Sequence, residues 1–233
     1  MQNYPFYEEV LFLTKKLVSI PSMNNTQGER EVAEHMAQWL RDLPYFSEHP
    51  DQLIVQPLKD DPWKRVNVIA IAFGTKSNSK ETIILHGHCD TVGIGDYGSI
   101  QEYAFDCDAL PEKIKAITND PEVLADIESG EWMFGRGVSD MKCGDAVNLV
   151  LMKYFTQHLD MFDGNLIFMT NPVEENQHTG IIHSLDMLEE LKEKYERSLK
   201  HLEKNTTVLT RLRKEQGLLF AEQITEGLRD LHF

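Results

Sequence analysis

Residues 82–90 read Thr82-Ile83-Ile84-Leu85-His86-Gly87-His88-Cys89-Asp90, a short apolar run that passes without a break into histidine, glycine and aspartate. The β-branched residues at its start predict a strand over 82–85, because such side chains pack well on a pleated surface. In open α/β sheets, ligands bind where loops at the carboxyl ends of strands converge on one crevice. A strand that runs into His88-Cys89-Asp90 therefore carries chemistry to the place where such a fold binds. His88 offers an imidazole to a metal. Two residues on, Asp90 offers a carboxylate to the other ring N–H, which fixes the tautomer and raises ligand basicity. Taken alone, the triplet reads equally as a surface turn.

The surrounding chain supports a layered fold. Upstream, Leu53 to Val55 and Val66 to Phe73 are further short apolar runs bounded by polar residues, Pro or Gly. Two helices precede them. Val10, Leu11, Leu13, Leu17 and Val18 recur at helical intervals until Pro21, and Thr26-Gln27-Gly28-Glu29 forms a capping-box pattern that opens a helix through Val32, Met36, Trp39 and Leu40. Downstream, residues 94–135 mix Gly, Asp, Pro and Glu with little periodicity and predict a long surface excursion with one or two helical turns. Gly135-Arg136-Gly137 then leads into a helix carrying Ala146, Leu149, Val150, Met152 and Phe155, and Leu166 to Met169 predicts another buried strand. This order of elements is that of an α/β domain over residues 1–183. From Ser184 onward no strand is expected. Leu188, Leu191, Tyr195, Leu202, Leu209 and Leu212 follow heptad-like spacing among Glu, Lys and Arg. Ser198, Asn205 and Gly217 interrupt that seam, so residues 184–233 read as an α-helical tail of two or three amphipathic helices.

Composition excludes several classes of function. Acidic residues outnumber basic ones 38 to 23, which argues against holding a nucleic-acid backbone or an anionic membrane by charge. No stretch approaches the roughly 18 to 20 apolar residues of a membrane span. The start, Met1-Gln2-Asn3-Tyr4-Pro5, lacks the pattern of a signal peptide, so the expected location is cytoplasmic. Two glycosylation sequons, at Asn24 and Asn205, are discounted for the same reason. Cys89, Cys107 and Cys143 are too few and too irregularly spaced for a disulfide framework, and reduced thiols are expected.

Two more motifs carry candidate chemistry. Gly135-Arg136-Gly137-Val138-Ser139-Asp140-Met141-Lys142 sets a carboxylate where a helix begins, beside glycines that let backbone approach closely. The structural alternative makes Asp140 or Ser139 an N-cap. Glu174-Glu175 follows a buried strand, where adjacent carboxylates can diverge so that one binds metal while its neighbour handles a proton. A solvated acidic loop is the alternative there.

Taken in order, Ile84 to Val92, Gly135 to Gly144 and Val173-Glu174-Glu175-Asn176 resemble the aminoacylase and carboxypeptidase family of dinuclear zinc hydrolases. The long insertion and the Glu174-Glu175-Asn176 run most resemble its arginine-utilisation members. The resemblance covers about residues 6 to 195. It implies a three-layer zinc-peptidase-like catalytic domain, and it implies that His88 binds one zinc, Asp140 bridges two and Glu175 binds the second. Asp90 would orient His88. Glu174 would be the general base, taking a proton from a water held between the zinc ions and passing it to the leaving amine of a small peptide or N-acyl amino acid.

The same resemblance calls for two further ligands, a carboxylate about one strand beyond the glutamate pair and a histidine near the end of a longer chain. Asp186 and His232 do not fit these places. The expectation is thus an incomplete catalytic domain without the family's lid or dimerisation domain. Two readings stay open: a zinc-dependent amidohydrolase, or a truncated, catalytically inactive member whose helical tail mediates assembly, for instance as a homo-oligomer.

Overall fold

A computed structural model describes residues 6–195. Helices α1 (Tyr7–Val18) and α2 (Gly28–Arg41) open the domain, and the five-residue helix α3 (Pro44–Glu48) leads to strand β1 (Leu53–Pro57). Strands β2 (Val66–Phe73) and β3 (Thr82–His88) follow. The excursion after β3 holds helices α4 (Leu110–Lys115) and α5 (Pro121–Ser129), and then come helix α6 (Cys143–Gln157), strand β4 (Asn165–Asn171) and helix α7 (Thr179–Lys194). The strands form one sheet in the order β1-β2-β4-β3. β2 is antiparallel to both β1 and β4, whereas β3 and β4 run parallel.

Both faces of this sheet are buried, so its central strands carry nearly continuous apolar runs. Val68, Ala70, Ala72, Leu166 and Phe168 face α1, α2 and α6, meeting Leu13, Leu17, Val32, Met36, Leu40, Leu149 and Met152. The intervening residues Ile69, Ile71, Ile167 and Met169 point the other way, against Ile181, Leu185, Leu188 and Leu191 of α7. Each fully buried side chain of this kind contributes about 1.5–3 kcal/mol. Helices on two faces of one sheet give the three-layer α/β architecture that the sequence predicts.

Several local expectations shift. Strand β3 extends past Leu85 to His88, so the histidine lies on the strand rather than in the loop after it. The excursion holds two α-helices and a run of 3-10 turns over Gly95–Tyr103. The capping-box pattern is only half realised: the Glu29 carboxylate reaches back to the N–H of Asn25, at 2.7 Å, but the Thr26 hydroxyl donates to the Met23 carbonyl. Glu29 is instead fully buried against Arg65. The expected boundary between Ile182-His183 and Ser184 falls inside α7, whose buried face is part of the sheet's second core. Of the tail expected over residues 184–233, residues 196–233, with any homo-oligomer contact made through them, lie outside the described residues. Among those described, no helix is long and apolar enough to cross a membrane.

Candidate metal centre

Because β3 and β4 are parallel and in register, His88 lies directly beside Asn171, and the two strands end together. The loops that leave them converge on one side of the sheet, as an open α/β fold requires of a ligand site. After His88 the chain is tied to the segment before α2: Thr91 N–H donates to Ser22, Asn24 N–H donates to Thr91, and the Ser22 hydroxyl caps the Cys89 carbonyl. After β4 the chain turns sharply at Val173, a buried β-branched residue held at φ 71°. Such a residue adopts that conformation only where its surroundings impose it.

The surroundings in question include Asp90. Its carboxylate is fully buried, and Oδ1 accepts the backbone N–H of Glu174 while Oδ2 accepts that of Glu175, both at 3.0 Å. Asp90 also faces His88, whose Nδ1 lies 3.2 Å from the Asp90 carbonyl oxygen and 3.5 Å from Oδ1. Two oxygens on that side keep the proton on Nδ1 and turn Nε2 toward the site. There Nε2 meets Asp140 Oδ1 at 2.8 Å and Glu174 Oε2 at 3.8 Å.

Asp140 does not cap helix α6. That helix starts at Cys143, after Lys142, and the Asp140 side chain is 73% exposed and turned to His88. The Gly137 N-terminal to it has φ 79°, and a Cβ there would come within 2.5 Å of Thr91 Cγ2. Glycine is therefore required for the turn that carries Asp140 to the histidine. Arg136 holds the excursion against this turn, pairing with Asp96 and lying over the Tyr97 ring.

His88, Asp140 and Glu175 each bring one donor atom to within 4.8 Å of the others. Burial disfavours a charged His88, yet the carboxylates of Asp90, Asp140 and Glu174 outweigh it and raise the imidazole to about 10. Burial, helped by Asp140, also raises the carboxyl of Glu175. Carboxylates converging on one imidazole nitrogen suit a divalent cation by charge. One nitrogen and carboxylate oxygens suit zinc or a neighbouring transition ion by ligand type.

Three residues of the region carry no role in the sequence reading. Asp145 is fully buried, accepts from Thr170 Oγ1 at 3.1 Å and leaves Oδ1 without a protein partner; burial raises it to about 7. Its Oδ1 lies 2.1 Å from where a Cβ on Gly87 would sit, which explains the glycine before His88. Asn171 Oδ1 accepts from His86 Nε2 at 2.7 Å, and burial lowers His86 to about 4, so that ring is neutral. Lys142 is fully buried and lowered by burial to about 8. A polar Asp145 on the apolar stripe of Ala146, Leu149 and Met152 was the available signal for the first. His183 lies on α7, and its Nδ1 accepts the Lys59 N–H at 3.3 Å. All three cysteines are free, Cys89 buried and the others partly so.

This three-layer α/β domain gathers an imidazole and carboxylates beside the ends of two parallel strands, a donor set of the kind that can hold a metal ion. The family model of Peptidase family M20/M25/M40 matches residues 103–213 of this chain. It is 42% identical to Protein RocB of Bacillus subtilis over 206 residues, which span 88% of this chain and 36% of RocB. The chain thus covers little more than a third of that relative's length. Its fold is similar to the di-peptidase Dug1p of Saccharomyces cerevisiae, with a TM-score of 0.53 at 13% identity over 84% of this chain and 37% of Dug1p. Human carnosine dipeptidase 1 is similar to the same degree, with a TM-score of 0.53 at 14% identity and the same two coverages. At such identities these two show the fold alone.

Proposed function

We propose that this chain is the metal-binding part of a hydrolase that cleaves amide or peptide bonds in small peptides or N-acyl amino acids. The observation that carries the proposal is the convergence of donor atoms from His88, Asp140 and Glu175 within 4.8 Å. The match of the Peptidase family M20/M25/M40 model to residues 103–213 supports the peptidase class, and the resemblance to arginine-utilisation members suggests arginine metabolism as the setting.

In this reading His88, Asp140 and Glu175 would hold zinc, with Asp140 shared between the two positions of a metal pair. When bound, the metal would lower the proton affinity of water and polarise a carbonyl. The residues of the chain do the rest. Asp90 keeps His88 Nδ1 protonated, leaving Nε2 as the ligand atom. The Glu174 carboxylate, one-third exposed and 3.8 Å from His88 Nε2, is open to solvent and close enough to accept a proton from an attacking water and return it to the departing amine. The half-buried backbone hydrogen bonds from Glu174 and Glu175 to Asp90 position the glutamate pair.

The test is the zinc content of the purified chain and of Asp140→Ala, measured with cleavage of a series of N-acyl amino acids and dipeptides. Bound zinc that is lost in Asp140→Ala, with zinc-dependent cleavage, is the expected result. Zinc content unchanged by loss of Asp140 refutes the ligand assignment. Zinc bound without any turnover favours the inactive-member reading instead.

A further inference from the structure

Lys142 is fully buried one residue before helix α6, a place where a cation is costly for two reasons. Burying an ammonium is unfavourable unless it is paired and hydrogen-bonded. A positive charge at a helix N-terminus also opposes the helix dipole. Helix α6 gains nothing from it. What the side chain does instead is reach across to α1, where Nζ donates to the carbonyl of Leu17 at 3.0 Å and to that of Ile20 at 2.7 Å.

Those carbonyls lie at and just beyond the C-terminal end of α1, where helical carbonyls lack intrahelical donors and the dipole favours a cation. The backbone N–H of Lys142 meanwhile donates to the Gly137 carbonyl at 2.8 Å, closing the turn of residues 137–142. Asp140 sits inside that closed turn, largely exposed, with its own contact to His88. One end of the turn is set by Gly137, which packs against Thr91. The other end is set by Lys142.

We propose that Lys142 is a positioning residue, a buried tether that pins the turn bearing Asp140 to the C-terminal end of α1 and so holds the carboxylate at the distance from His88 that a metal requires. As regards metal, this rests on the reading of His88, Asp140 and Glu175 as ligands. The tether itself does not.

The experiment compares the full chain with Lys142→Met, which keeps the length and apolar stem of the side chain and removes its donors, and with Lys142→Arg, which keeps a cation. Amide hydrogen exchange is read in the metal-free proteins, and zinc affinity is read by competition with a chromophoric chelator. In Lys142→Met the amides of residues 137–142 exchange about tenfold faster or more while those in the middle of α6 are unchanged, zinc binds about tenfold more weakly, and Lys142→Arg recovers part of both. Unchanged exchange at 137–142 overturns the tether. Faster exchange with unchanged zinc affinity overturns its role toward the metal. If the parent chain binds no zinc, the ligand reading has failed, and exchange alone decides the tether. Should Lys142→Met not fold, Lys142→Gln is read in the same way, and failure of both to fold makes the lysine a support of the whole core and refutes the proposal.

Discussion

The buried carboxylate of Asp90 accepts the backbone N–H of Glu174 at 3.0 Å, and so ties the end of β3 to the loop that follows β4. Its second oxygen does the same for Glu175. An aspartate expected to orient His88 therefore also fixes the glutamate pair, and a single side chain sets the relative places of an imidazole and two carboxylates.

Asp90→Asn tests this double duty. An amide presents one acceptor and one NH2 donor, so one of the two backbone N–H groups then faces a donor in a buried setting. Leaving a buried donor unsatisfied costs about 1–3 kcal/mol. Loss of a residue that orients a metal ligand typically weakens metal binding about 10- to 100-fold. The variant should melt at lower temperature without metal and bind zinc more weakly. A melting temperature equal to the parent's would show that the two hydrogen bonds contribute little.

Asp145 gives the fold a pH dependence of definite sign. Burial holds its carboxyl at about 7 in the folded chain, well above the ordinary carboxylate range of the unfolded one. A group whose folded pKa is raised favours the fold while protonated, so this contribution is whole below pH ~4 and is lost as pH rises toward 7. A shift of about three units corresponds to roughly 4 kcal/mol. Asp145→Asn keeps the shape and removes the charge, so its stability relative to the parent should grow between pH 4 and 7 and level off above. Urea denaturation of both proteins across that range measures the difference, and a gap independent of pH would contradict the assignment.

What the sequence showed and what it hid divide along physical lines. Continuous apolar runs and helical periodicity expose the sheet and helices because both faces of β2 and β4 are buried and the helices carry clean stripes, so Val66 to Phe73 and Leu166 to Met169 are legible at once. His88, Asp140 and Glu175 are legible by their motif context, and the structure brings them together. Hidden were the residues whose meaning depends on distant partners. Lys142 is separated by 122 residues from the carbonyl of Ile20 that it caps, and Glu29 by 36 from Arg65. Nothing local marks such a lysine as buried. The capping-box pattern at Thr26 to Glu29 misleads for the same reason, since a distant guanidinium claims the glutamate that the pattern assigns to a helix end.

That guanidinium supports the last prediction. Arg65 is almost fully buried between Glu29, at 3.0 Å, and Asp61. Burial raises the Glu29 carboxyl even though Arg65 pulls it down, so the glutamate tolerates its charge only through its partner. Arg65→Met leaves a buried carboxylate uncompensated, which typically costs about 3–5 kcal/mol. Because Glu29 can then escape the cost by taking up a proton, the destabilisation should be smaller at pH 5 than at pH 8. Adding Glu29→Gln removes the stranded charge, so the double variant should recover a large part of the loss and lose the pH dependence that belongs to Glu29. A double-mutant cycle by urea denaturation at both pH values reads all of these quantities. Simple additivity of the two substitutions would mean that Arg65 contributes by packing against Asp61 and its neighbours rather than by neutralising Glu29.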